Sequence, residues 1–94
     1  MAKTRVLIVD DEPNIRDLLA TSLRFAGYEI QSAANGAQAV AAVTESEPDI
    51  ILLDVMLPDM NGFSVTKKLR SAGFQAPILF LTARDDVEDK ITGL

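Results

Sequence analysis

Histidine and cysteine are both absent from the sequence. Their absence excludes disulfides, zinc sites built from these ligands, and catalysis by an imidazole or a thiol. Basic charge is also scarce, since nine Lys and Arg residues stand against 14 Asp and Glu residues and leave a net charge of −5. We therefore expect no direct contact with nucleic acid, because a phosphate-backbone footprint needs clustered basic residues.

Long hydrophobic runs are missing as well. The apolar run Val6–Val9 near the N-terminus is far too short for a signal peptide or a membrane span. The sequence therefore predicts a cytoplasmic protein without membrane contact. With 94 residues, the chain has room for one domain, which we assign to 1–94.

Short apolar runs are present and predict the strands. Ile50–Leu53 is a continuous aliphatic run between a proline and a Pro/Asn/Gly loop, which is typical of a strand buried on both faces. Arg5–Val9 and Ile78–Leu81 have the same character, whereas Tyr28–Ser32 alternates and predicts a half-buried strand. Strands of this kind occur mainly in parallel sheets that are covered by helices.

Helical patterns separate these strands. Pro13 suits the first turn of a helix whose predicted apolar face is Ile15, Leu18, Leu19 and Leu23, with Phe25 near its end and Gly27 as its stop. A weaker second stripe consists of Ala37, Val40, Ala41 and Thr44, a third helix covers Phe63–Arg70, and a fourth begins near Asp85. The order βαβαβαβα predicts an α/β fold with a doubly wound parallel sheet.

Polar residues follow or end three of the predicted strands. Asp10 and Asp11 follow the first strand, Asp54 ends the third, and Thr82 follows the fourth. The carboxyl ends of parallel strands meet at one edge of the sheet, where ligands bind in such folds. Two like charges about 4 Å apart repel by roughly 4 kcal/mol at an effective dielectric constant of 20, so protonation or a bound cation must relieve them. Oxygen ligands alone favour a hard ion such as Mg²⁺.

Each of these residues also has a plainer interpretation. Asp10 and Asp11 could cap a helix, Asp54 could be a turn residue, and Thr82 could simply favour a strand. Their joint position at one sheet edge favours function instead. Aspartate is a nucleophile for phosphoryl transfer, and the Thr82 hydroxyl would be placed to reach the new phosphoryl oxygens.

Three segments resemble a known family. They are Val6–Pro13, Asp54–Gly62 and Phe80–Arg84, and together they are similar to the receiver domain of bacterial two-component response regulators, most closely the OmpR/PhoB type. The resemblance covers the whole chain. It implies a flavodoxin/CheY-like sheet with strand order 2-1-3-4, and a signalling domain rather than an ordinary enzyme.

The resemblance also implies roles for individual residues. Asp54 matches the phosphoacceptor, and Asp10 and Asp11 match the acidic pair that holds Mg²⁺ together with the backbone carbonyl of Met56. Thr82 matches the switch hydroxyl, and the backbone N–H of Ala83 matches a phosphoryl contact. The implied partner is a sensor histidine kinase, and the implied output is control of transcription through a separate domain.

The end of the chain departs from the family pattern. A receiver normally continues with a fifth strand, a lysine at its end and a fifth helix, whereas this sequence stops at Leu94. We therefore expect a C-terminally incomplete receiver that self-associates through an exposed sheet edge or face. The alternative is a truncated, phosphorylation-independent interaction module.

Two other classes remain as rivals. Aspartate-nucleophile phosphatases resemble Asp-x-Asp at the nucleophile, whereas Met56 holds the second position here and supplies no acid. Rossmann nucleotide-binding domains carry a glycine-rich loop after the first strand, whereas acids that would repel a pyrophosphate follow it here.

Overall fold

The computed structural model of the chain describes residues 3–81. Strands and helices alternate along them. The strands are β1 (Arg5–Val9), β2 (Glu29–Ala33), β3 (Ile50–Asp54) and β4 (Ile78–Leu81), and the helices are α1 (Pro13–Phe25), α2 (Gly36–Glu45) and α3 (Gly62–Ser71). The predicted fourth helix and the residues Thr82 and Ala83 lie outside this range. Within it, no helix is long and apolar enough to cross a membrane.

The four strands form one parallel sheet in the order β2-β1-β3-β4. β1 and β3 are the inner strands, with Val9 opposite both Ala33 and Leu53. The predicted fold class and strand order are therefore confirmed. Because the strands are parallel and in register, the carboxyl ends of β1 and β3 lie side by side.

Side chains on the two faces of the sheet pack into two separate cores. Alternate residues of β1 point to opposite faces, so that Leu7 and Val9 join one core and Val6 and Ile8 join the other. The first core is closed by residues of α2 and α3, namely Ala39, Val43, Val65 and Leu69. The second core is closed by Ala20 of α1. Helices on both faces are what the buried, non-alternating strands predicted.

Helix α1 packs on the sheet through part of its predicted face, since Leu19 and Leu23 contact the core and Leu18 does not. Ala20 is buried and Leu19 and Leu23 pack beside it, whereas Leu18 is 63% exposed. Phe25 is 95% exposed in the last turn. The spacing of the leucines allows a buried stripe with Leu18 or one without it. The small Ala20 side chain lets the helix approach the sheet along the stripe that contains Leu19 and Leu23 and leaves out Leu18.

Helix α2 also differs in detail. Its buried residues are Gly36, Ala39 and Val43, and the predicted Val40 packs against the same core, whereas the predicted Ala37, Ala41 and Thr44 are exposed. An alanine-rich helix offers apolar residues on every side, and its neighbours then decide which side is buried.

Candidate functional site

Asp10 and Asp11 lie directly after β1, where the strand leaves the sheet. Asp10 is only 3% exposed, and its backbone N–H donates to the carbonyl of Ala33 on the neighbouring strand at 3.1 Å. Its carboxylate Oδ1 accepts the backbone N–H of Glu12 at 2.8 Å. This local turn fixes the Asp10 side chain and leaves the exposed Asp11 beside it. The capping residue of α1 is Glu12, so neither aspartate acts as the plain N-cap considered from the sequence.

Arg16 supports the same turn from helix α1. Its guanidinium donates to the backbone carbonyl of Asp10 at 2.8 Å. Sequence reasoning did not single out this residue. The sequence signal was weak, because a cation close to a helix N-terminus is only slightly unfavourable and a backbone carbonyl partner has no signature in the sequence.

Asp54 is the last residue of β3 and is only 2% exposed. Its carboxylate Oδ1 accepts the backbone N–H of Met56 at 3.2 Å. The side chain is thus held both by the strand behind it and by the loop ahead of it. A carboxylate this deeply buried is retained only where it is hydrogen-bonded or paired with a cation.

The three aspartates converge on one point. One carboxylate oxygen from each of Asp10, Asp11 and Asp54 lies within 4.8 Å of the others. Oxygens at this separation, two of them on buried residues, repel one another strongly unless a cation or protons intervene. The donor set is made of hard oxygens alone, which fits a hard divalent cation such as Mg²⁺.

The loop after β3 is folded tightly against the site. Met56 pairs with Asn61 in an antiparallel bridge, and the N–H of Gly62 donates to the carbonyl of Val55 at 2.6 Å. A Cβ on Gly62 would lie 2.7 Å from the carbonyl oxygen of Asp54, so only glycine fits there. Asn61 then caps α3 by accepting the N–H of Ser64 at 2.8 Å. The Met56 side chain is 58% exposed beside the site.

Asp59, in the same loop, contacts a different helix. Its two carboxylate oxygens accept the backbone N–H groups of Gly36 and Ala37, at 2.8 and 2.9 Å, at the start of α2. The hydrogen bond from Gly36, followed by that from Ala37, lowers the pKa of Asp59 below its ordinary value of 3.8. The sequence analysis passed over this residue, since nothing in its local sequence indicates a partner 23 residues away.

Thr82 and Ala83 follow β4 in sequence and lie outside the described residues. The structure thus brings together Asp10, Asp11 and Asp54, and it places the backbone of Met56 next to Asp54. The roles assigned to Thr82 and Ala83 stay predictions.

The fold and the acidic cluster together define a class, namely an α/β domain with a carboxylate site at the ends of its central parallel strands. The family model of the response regulator receiver domain matches residues 6–94, and the chain belongs to that family. Receiver domains are signalling domains that sensor histidine kinases phosphorylate.

Curated relatives carry the same domain within longer chains. The chain is 49% identical over 89 residues to "Probable transcriptional regulatory protein TcrX" of Mycobacterium tuberculosis, which covers 95% of this chain and 38% of that protein. It is 43% identical over 90 residues to "Response regulator MprA" of Mycobacterium sp. (strain KMS), covering 96% of this chain and 39% of that protein. The chain therefore spans about two fifths of the length of these relatives.

Solved structures share the fold. The response regulator protein TrrA from Thermotoga maritima, solved in complex with Mg²⁺-BeF, superposes with a TM-score of 0.82 at 37% identity, over 96% of this chain and 78% of that one. The chemotaxis protein CheY4 of Vibrio cholerae superposes with a TM-score of 0.85 at 38% identity, over 98% of this chain and 78% of that one.

Proposed function

We propose that this chain accepts a phosphoryl group on Asp54 from a sensor histidine kinase, in a reaction that depends on Mg²⁺. The observation that carries the proposal is the convergence of three carboxylates at the ends of β1 and β3, of which Asp10 and Asp54 are buried. Membership of the receiver family and the Mg²⁺-BeF complex of the related TrrA support the same chemistry.

Asp10, Asp11 and Asp54 would hold the metal ion, with the backbone carbonyl of Met56 as a further ligand. When bound, the ion supplies positive charge that offsets the negative charge on the phosphoryl oxygens in the transition state. The residues of the chain contribute by holding the carboxylates in place. Asp10 accepts the Glu12 N–H and Asp54 the Met56 N–H, so both carboxylates are oriented before the reaction begins.

In the transfer step, a carboxylate oxygen of Asp54 attacks the phosphorus of a phosphohistidine. The phosphorus–nitrogen bond breaks, and its electron pair returns to the imidazole of the kinase, which then takes up a proton. The product on this chain is an acyl phosphate at Asp54. Thr82 would donate its hydroxyl, and Ala83 its backbone N–H, to the new phosphoryl oxygens.

A phosphoryl group on Asp54 adds charge at the end of the central strand, and the inward movement of Thr82 would convert that charge into a changed surface. We propose that this surface controls an output domain that regulates transcription, as the names of the curated relatives suggest. The domain promotes its own phosphorylation and hydrolysis, and it acts as a signalling switch rather than as a turnover enzyme.

Self-association is a second part of the proposal. Among residues 3–81, β4 pairs with β3 alone, and its Leu79 is 52% exposed. An unpaired strand edge pairs readily with another chain, and the exposed Leu79 on the adjoining sheet face adds apolar surface for such a contact. Sedimentation at rising protein concentration would show association, and Leu79→Lys should weaken it. A monomer at all concentrations would contradict this part alone.

The phosphoacceptor test is an intact-mass measurement after incubation with acetyl phosphate and Mg²⁺. Wild-type protein should gain the mass of one phosphoryl group, whereas Asp54→Asn should gain none. Omitting Mg²⁺ should prevent the gain in wild type. A wild-type protein that binds Mg²⁺ yet never gains mass would favour the phosphorylation-independent interaction module instead.

A further inference from the structure

The Asp59 carboxylate joins two parts of the fold that are distant in sequence. Helix α2 begins with N–H groups that have no partner within the helix, and Asp59 accepts two of them, from Gly36 and Ala37. The helix already has a capping residue of its own, Asn35, whose side chain accepts the N–H of Gln38 at 2.8 Å. The start of α2 is therefore held twice, once by its own sequence and once by the loop after β3.

Packing brings the same two parts together. A Cβ built on Gly36 would lie 2.5 Å from Cγ and 2.8 Å from Sδ of Met60, the residue that follows Asp59. It would also lie 3.0 Å from Cγ2 of Val65 on α3. The Met60 side chain thus sits directly against the backbone of α2. Contact and hydrogen bonds together fix the tip of the loop on the helix.

The opposite end of this loop forms part of the acidic site. The backbone N–H of Met56 donates to Oδ1 of Asp54, and Met56 is bridged to Asn61 across the loop. The fixed tip lies between these two bridged residues. If the tip moved away from α2, the movement would pass through the bridge between Met56 and Asn61 to the Met56 N–H, which contacts Asp54.

We infer that Asp59 is a positioning residue for the acidic site, and that by anchoring the loop on α2 it raises the affinity of the site for Mg²⁺. This inference rests on the proposed function. Direct hydrogen-bond partners of a metal ligand change affinity because they orient the ligand, and Asp59 acts one step further out, through the loop that carries Met56. The competing interpretation is that Asp59 stabilises α2 and has no effect on the site.

Three variants separate these interpretations. Asp59→Ala removes both hydrogen bonds, Asp59→Asn removes the charge but keeps one acceptor oxygen, and Asn35→Ala removes a hydrogen bond from the same helix start without touching the loop. Mg²⁺ affinity is measured by isothermal titration calorimetry. Hydrogen exchange at the Met56 amide is measured by NMR without metal, and Tm reports stability.

We expect Asp59→Ala to raise the Kd for Mg²⁺ about three-fold, below the roughly ten-fold effect of removing a direct partner of a metal ligand, because Asp59 acts through the loop. Asp59→Asn should fall between this variant and wild type. Exchange at the Met56 amide should be faster in Asp59→Ala. Asn35→Ala should lower Tm and leave both the Kd and the Met56 exchange rate at their wild-type values.

Several results would overturn the inference. A wild-type Kd in Asp59→Ala with a lowered Tm would reduce Asp59 to a helix cap. Equal losses of affinity in Asp59→Ala and Asp59→Asn would indicate charge rather than position. If Asp59→Ala does not fold, Asp59→Asn provides the test. A wild-type Kd for Mg²⁺ in Asp59→Asn, together with slower or unchanged exchange at the Met56 amide, would contradict the positioning role.

The failure of the proposed function is distinguishable from these results. If wild type binds Mg²⁺ and is phosphorylated while Asp59→Ala behaves identically, only the positioning role fails. If wild type binds no Mg²⁺, the proposed function fails and the metal part of the inference falls with it. In that case the Met56 exchange rate still tests whether Asp59 anchors the loop.

Discussion

The two halves of the acidic site are held in place by different means. At the end of β1, the side-chain contacts are local, since Asp10 Oδ1 accepts the N–H of Glu12 and Arg16 reaches back six residues to the Asp10 carbonyl, while the Asp10 N–H bonds to Ala33 on β2. At the end of β3, Asp54 depends on a loop whose tip is fixed by Asp59 on a helix 22 to 23 residues away. A local turn forms whenever its own segment folds, whereas the loop after β3 needs α2 already in place. The β3 half is therefore the more sensitive to changes elsewhere in the molecule.

The largest expected effect comes from removing an acid from either half. At a Mg²⁺ concentration of 100 times its Kd, a ligand that binds only the folded state stabilises by about 2.7 kcal/mol, and wild type should show this gain over EDTA. Asp10→Asn and Asp54→Asn should each lose most of it, because the cluster needs both strand ends. In EDTA, the same variants should be at least as stable as wild type, since a like charge has been removed.

Chemical denaturation with and without Mg²⁺ measures both quantities. An unchanged Mg²⁺ gain in Asp10→Asn would show that the β1 half contributes nothing to the metal site. Asp17→Asn, an exposed aspartate on α1 outside the cluster, is the matched control for the loss of one charge.

A smaller effect should follow from Gly62→Ala, which tests the close packing of the β3 half. The new methyl group would meet the Asp54 carbonyl oxygen at 2.7 Å, and backbone cannot yield as a flexible side chain does. We expect a loss of about 1–2 kcal/mol in unfolding free energy, within the range for overpacked sites. Because the displaced backbone belongs to Asp54, the Kd for Mg²⁺ should rise as well.

Gly27→Ala is the control for this substitution. Gly27 has a φ of 106° and its Cβ would have no neighbour within 4 Å. Alanine there should destabilise by about 1–2 kcal/mol through the left-handed backbone alone. Its Kd for Mg²⁺ should match that of wild type. Equal Kd values in Gly62→Ala and Gly27→Ala would show that packing at Gly62 does not influence Mg²⁺ binding.

The smallest effect concerns pH. The pKa of Asp59 is lowered by the N–H groups of Gly36 and Ala37, so the folded state binds a proton at this carboxyl less readily than the unfolded state does. The stability from these hydrogen bonds is complete above the ordinary pKa of 3.8 and is lost as pH falls through the lowered folded value. The amide shifts of Gly36 and Ala37 should titrate in that range in wild type and not in Asp59→Asn.

The sequence predicted the fold and the clustering of the three aspartates well. Continuous aliphatic runs ending in acids placed β1 and β3 together and put Asp10, Asp11 and Asp54 at one edge, because parallel strands offer few other arrangements. Pro13 at the start of α1, and Gly27 and Gly73 with positive φ after α1 and α3, also follow from local backbone preferences.

Tertiary contacts decided what the sequence could not. Leu18 and Phe25 looked like core residues, but the helix approaches the sheet along Ala20 and leaves both exposed. Asp59 lies in a turn motif that gives no sign of its partner. Its two carboxylate oxygens accept backbone N–H groups, which almost every residue carries. A role based on backbone partners has no signature in a single sequence. The assignments of Thr82 and Ala83 depend on family resemblance and stay predictions.

The position of β1 has a consequence for how this protein is made. Among the strands described, β1 is synthesised first, and it is an inner strand of the sheet, with Val6 opposite both Ile30 and Ile50. Until residues 50–53 are synthesised, Leu7 and Ile8, both fully buried in the folded chain, have an open strand edge on the nascent polypeptide. A protein fused in front of β1 would therefore be attached to a central strand of the sheet and not to an edge strand.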